Sequence, residues 1–177
     1  PASPMHRYWQ EVGVAQGREF LNLEEYGRFE GADGRTVIFY TDVERLEAHL
    51  LDSSPQDAEP IGQFIAGIRL ALAIDDRPQA TDPLGERLRK ATQMGWTMVT
   101  KGRAIQSWLR TTATEFAGRF KDPLLRRAMV DMWFPDFSMF FMLYTFAYLH
   151  RQSAGYPLGG SMPMSEAMAQ RYIDLGG

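Results

Sequence analysis

Ser138 to Leu149 reads Ser-Met-Phe-Phe-Met-Leu-Tyr-Thr-Phe-Ala-Tyr-Leu, a run that is apolar nearly all the way round a helix. Such a helix has no polar face to offer water, so something must cover it on every side. A bilayer span needs about 20 apolar residues. This run has 12, between Asp136 and His150-Arg151. Three settings satisfy it: the centre of a core, the wall of a cavity holding something apolar, or a surface dipping into a membrane. The first two overlap, since a cavity wall is also buried. Asp136 is placed to cap this helix, which should run to about Gln152.

A chain of 177 residues can bury a core of its own around such a helix. The net charge of -3 argues against a dedicated nucleic-acid binder, which needs a basic surface to meet phosphates. Cysteine is absent, which removes disulfides, thiolate metal sites and cysteine nucleophiles. His6, His49 and His150 are far apart and fit no metal-binding spacing, so no metal site is expected unless the fold brings the three together. Methionines and aromatics concentrate between Trp96 and Met168. Adaptable thioethers and broad rings suit a large apolar ligand, and equally a well-filled core.

The pattern along the chain predicts an α+β fold, mostly helical, with an N-terminal β-hairpin followed by about six helices. Ser3-Pro4 should start a short helix carrying Met5, Tyr8, Trp9 and Val12, closed by Gly13. Strands are expected over about 19–30 and 35–40, joined by Gly31-Ala32-Asp33-Gly34. The helical part should cover about 42–175. Thr41 and Glu44 form a capping box for a helix with Val43, Leu46 and Leu50 on one face. Ser54-Pro55-Gln56-Asp57 starts the next, whose stripe is Ile61, Phe64, Ile65, Ile68 and Leu72, and Asp75-Asp76-Arg77-Pro78 breaks it. Asp82-Pro83 and Asp122-Pro123 are further starts, with a helical region between them interrupted near Gly95 and Gly102. A last helix should run from Met162 to about Leu175 and stop at Gly176. All this reads as a single unit, 1–177, with a weak boundary near Ala80-Thr81.

Catalytic signatures are few. No two glycines are spaced i, i+2, so the G-x-G-x-x-G dinucleotide fingerprint is absent, as is the phosphate loop. There is no G-x-S-x-G elbow. The adjacent carboxylates Glu24-Glu25 and Asp75-Asp76 point apart and read as solvated surface. No catalytic residue is assigned. What remains is Tyr156-Pro157-Leu158-Gly159-Gly160-Ser161, a loop or short strand before Met162-Pro163-Met164. Its glycines let another body approach, and the helix start after it suits an electron-rich or anionic group. Read alone, it is equally a tight turn capped by Ser161.

Asp122-Pro123-Leu124-Leu125-Arg126, the Tyr156 to Ser161 segment and Gly176-Gly177 follow in an order that resembles the phytoene desaturase and carotenoid isomerase branch of the FAD-dependent amine-oxidase superfamily. The tryptophan-bearing helix ending at Val12-Gly13, the Asp33-Gly34 hairpin, and Thr41-Asp42 leading to Ser54-Pro55-Gln56-Asp57 keep the same order. The resemblance covers nearly the whole chain and rests on order and spacing. It implies the substrate (cap) domain of a flavoenzyme, without its FAD-binding domain. FAD would belong to the full-length parent and would not be held tightly here. The resemblance places Tyr156, Pro157, Ser161, Met162, Phe141 and Tyr144 at the substrate, and Gly159 and Gly160 near the flavin. The implied substrate is a long apolar polyene or isoprenoid-like molecule, with the redox chemistry left to the cofactor.

Both ends, Pro1 and Gly176-Gly177, read as cuts in a longer polypeptide, with a processed protein as the alternative. The expected partners are the apolar substrate and the FAD-binding domain, not nucleic acid. Self-association and peripheral membrane contact stay open, in a cytoplasmic setting. Two other functions fit the same residues: a free-standing helical module binding a lipid or other apolar ligand, and a protein-interaction domain using the helix from Ser138 to Leu149.

Overall fold

The computed structural model describes residues 4–75 and 82–177. Ser3, the breaker Asp76-Arg77-Pro78 and the boundary at Ala80-Thr81 lie outside them, as do the side chains of Met5, His6 and Asp75. In chain order the elements are α1 (Pro4–Glu11), β1 (Phe20–Leu21), β2 (Glu25–Glu30), β3 (Thr36–Tyr40), α2 (Val43–Ser53), a 3-10 turn (Pro55–Asp57), α3 (Ala58–Asp75), α4 (Leu84–Arg110), α5 (Ala113–Ala117), α6 (Pro123–Asp131), α7 (Met139–His150), β4 (Tyr156–Pro157) and α8 (Met162–Asp174). The fold is α+β and mostly helical, with two antiparallel two-stranded sheets among the described residues, β1–β4 and β2–β3. The chain divides into two compact units, Glu25–Ala147 and a smaller one made of Pro1–Glu24 with Tyr148–Gly177.

The larger unit is built on the apolar helix. Met139, Met142, Leu143, Phe146 and Ala147 of α7 are buried among Phe64 and Ile68 of α3, Phe116 and Phe120 around α5, and Val37 and Phe39 of β3. Phe146 meets Phe64 edge-on at 5.6 Å and Tyr26 at 5.3 Å. The hairpin forms because Gly34, at φ +79°, turns the chain, and Asp33 Oδ1 accepts from the Arg35 amide at 3.1 Å. In β3, Val37 and Phe39 alternate inward. The first strand is shorter than expected. Phe20–Leu21 leaves the hairpin and pairs with Tyr156–Pro157 in the smaller unit, and a bulge lies between Glu25 and Gly27.

A buried polar network ties the helix starts together. Asp57 accepts from the Lys121 amide at 2.7 Å, the Asp122 amide at 2.9 Å and the Ser54 hydroxyl at 2.7 Å. Asp122 caps α6, accepting from the Leu124 and Leu125 amides at 2.9 and 3.0 Å, and takes Arg35 Nη1 at 2.7 Å. Burial alone would raise both carboxyls, but these donors outweigh it and hold them below the ordinary range.

Four expected helix starts move. Asp42, not Thr41, caps α2, accepting from the Arg45 amide at 2.8 Å, because the helix begins one residue later than expected, at Val43. Ser54 opens a 3-10 turn rather than capping α3, and its hydroxyl goes to Asp57. Ser138 replaces Asp136 at the start of α7, accepting from the Phe140 amide at 3.2 Å. Asp82 pairs with Lys90 at 3.2 Å and does not cap α4. Nor is α4 interrupted at Gly95 and Gly102; it runs 27 residues. Two exposed-helix glycines cost about 1 kcal/mol each, too little to break a helix of otherwise good formers. The break falls at Thr111 and Thr112, where Thr112 and Glu115 form a capping box for α5.

Candidate functional site

In the smaller unit, α1 ends as the glycine predicted: Gly13 has φ +79°, and the Val14 and Gly13 amides donate to Trp9 and Gln10 at 2.8 and 3.1 Å. The chain then reaches Phe20, whose ring stacks on Trp9 at 5.9 Å. Phe20 and Leu21 pair with Pro157 and Tyr156, and the Leu158 amide donates to the Glu19 carbonyl at 2.9 Å. Gly155 permits this approach, because a Cβ there would lie 3.2 Å from Phe20 Cβ and 3.3 Å from the Leu21 carbonyl. The segment read from sequence as loop or short strand is therefore a short strand pinned at one end.

Beyond Pro157 the chain turns on two left-handed residues, Gly159 at φ +90° and Gly160 at φ +81°. A Cβ on Gly160 would meet nothing within 4 Å. Its requirement for glycine is thus conformational, and open space lies above it. Ser161 precedes α8 without a side-chain cap hydrogen bond, so the helix start is not closed by its own hydroxyl. Tyr156 (64% exposed), Leu158 and Met162 (69%) stand in solvent around this turn, with Pro157 half-buried. An apolar, partly aromatic rim thus surrounds a glycine turn and the positive end of a helix dipole.

Arg18 is the member of this group that the sequence did not announce. Its Nη2 donates to the Pro163 carbonyl in the first turn of α8, and its Nε is buried without a hydrogen-bond partner. No local pattern links residues 145 positions apart, so only the fold brings the guanidinium to the start of α8.

Phe141 and Tyr144 belong to the larger unit. Tyr144 is half-buried against the core. Phe141 is 51% exposed and part of an aromatic file: Phe134 to Phe137 at 5.6 Å, Phe137 to Phe141 at 5.7 Å, and Phe140 to Tyr144 at 4.9 Å. The apolar helix is therefore core on one side and an open aromatic face on the other. A shallow, open depression lies along α6, lined by Pro123, Arg126, Arg127, Val130 and Asp131, none of them a predicted site residue. Glu25 pairs with Arg28 at 2.9 Å.

No protein family, curated protein or solved structure matches the chain. No helix among the described residues is long and apolar enough to cross a membrane.

Proposed function

We propose that this chain is a substrate-binding domain of an FAD-dependent oxidoreductase of the phytoene desaturase type, acting in the cytoplasm on a long apolar substrate. The carrying observation is the turn at Gly159 and Gly160, with its open space, its exposed rim of Tyr156, Leu158 and Met162, and the uncapped start of α8. An apolar chain would lie along the rim, and an electron-rich group would face the helix start. Pro157 shapes the strand that holds the rim, and Ser161 offers a hydroxyl not spent on a cap. The flavin would come from the FAD-binding domain of the parent, supplying hydride transfer when bound, while these residues orient the substrate and keep water from it.

A second function, an apolar-ligand module independent of flavin, is favoured by the open aromatic file of Phe134, Phe137 and Phe141. Quenching of tryptophan fluorescence by a conjugated polyene separates the two. The first expects Tyr156→Ala with Met162→Ala to weaken polyene binding by tenfold or more at unchanged helicity, a loss of about 1.4 kcal/mol. Full binding by that variant, with loss in Phe137→Ser and Phe141→Ser, would assign the ligand to the aromatic file instead.

A further inference from the structure

Helix α4 spans 27 residues, roughly 40 Å at 1.5 Å per residue, yet none of its residues is fully buried. Trp108 packs against the core, while Lys90 pairs with Glu86 one turn back on the same helix and with Asp82 just before it, at 3.2 Å each. Besides Trp96, five large apolar residues stand in solvent: Leu84 at 64%, Leu88 at 58%, Met98 at 38%, Val99 at 82% and Leu109 at 48% exposed. At 3.6 residues per turn they project into one sector of roughly 100°. Trp96, 71% exposed, lies roughly 60° beyond it, on the flank that Arg103 and Arg89 share.

The edges of the sector are basic. By the same helical spacing Arg87 and Lys101 lie along one side, and Arg110, Arg103 and Arg89 along the other. Arg87, Lys101, Arg103 and Arg110 make no ion pair among the described residues, and Arg89 meets only Gln93 at 3.2 Å. With six basic residues against Glu86 alone, the helix carries +5 in a chain whose net charge is -3. A second copy laid on this face would set cation against cation. An anionic bilayer surface complements it instead: the apolar sector sinks to the acyl boundary, Trp96 sits at the headgroups, and both basic edges meet lipid phosphates.

We propose that α4 is a docking helix that lies flat on a membrane rich in anionic headgroups. This does not depend on the flavoenzyme function. Co-sedimentation of the 177-residue chain with phosphatidylcholine vesicles, with and without phosphatidylglycerol, tests it. The expected result is binding at least tenfold tighter to the anionic vesicles, weakened as salt shortens the Debye length, with a blue shift of tryptophan emission that Trp96→Phe reduces. Combining Arg87→Gln, Arg89→Gln, Lys101→Gln and Arg103→Gln should cost a further tenfold or more, since each cation near such a surface is worth about fivefold. Circular dichroism checks that the variant is folded; if it is not, the salt series on the unaltered chain decides the question by itself. Equal binding to neutral and anionic vesicles would overturn the proposal. So would no binding by the folded chain, or a dimer in light scattering abolished by Leu88→Ser and Val99→Ser.

Discussion

His49 illustrates how single residues in this chain are held by bonds that depend on protonation. Its Nε2 accepts the Ile38 amide at 2.9 Å, linking α2 to β3, and its ring meets Tyr40 edge-on at 5.3 Å. Burial lowers its pKa, against the opposing pull of Asp52, so the folded chain favours neutral imidazole. A folded value below the unfolded one, about 6.5, means that this contribution is complete above that pH and is lost as pH falls toward the folded value. Chemical denaturation between pH 8 and 5 should show a decline that His49→Gln reduces; identical slopes would remove His49 as its source. At this scale the sequence was legible where partners are local. Asp122-Pro123 and the glycine stops at Gly13 and Gly176 read correctly because each acts within a few residues. Asp57 was read as part of a helix start, but its partners at Lys121 and Asp122 come from 64 and 65 residues away. Arg18 gave no local signal at all.

At the scale of elements, α4 separates local propensity from the outcome. Gly95 and Gly102 suggested breaks, yet the helix passes through both, and an added Cβ at either meets nothing within 4 Å. Gly95→Ala and Gly102→Ala should therefore each stabilise the fold by up to about 1 kcal/mol, measured by denaturant unfolding. Destabilisation by either substitution would mean that the helix breaks there. The apolar run of α7 was legible as a helix because few other structures bury such a run, though its open side at Phe141 was not. Periodicity could not reveal that face, since a helix apolar all round has no stripe to orient. The departure of Phe20–Leu21 from the hairpin was hidden for a related reason. Its pairing partner is a two-residue strand distant in sequence, and the close approach is admitted by the side chain that Gly155 lacks.

At the scale of the whole molecule, two compact units carry two kinds of surface. The smaller presents a glycine turn with an aromatic and methionine rim at an open helix start, and the larger presents an aromatic file and a basic, apolar helix. The sequence indicated the turn and its rim, because glycine pairs and prolines punctuate a chain visibly. It did not indicate the open helix start, which depends on Ser161 failing to cap. The most direct measurement is made on the polypeptide encoded by the complete reading frame: heat release and chromatography of its bound cofactor, followed by anaerobic bleaching of its flavin absorbance with a conjugated polyene. A substrate-binding domain of a flavoenzyme predicts FAD in near-equimolar amount and flavin reduction slowed at least tenfold by Tyr156→Ala with Met162→Ala. A complete polypeptide that folds and carries no FAD, before or after reconstitution, would contradict it.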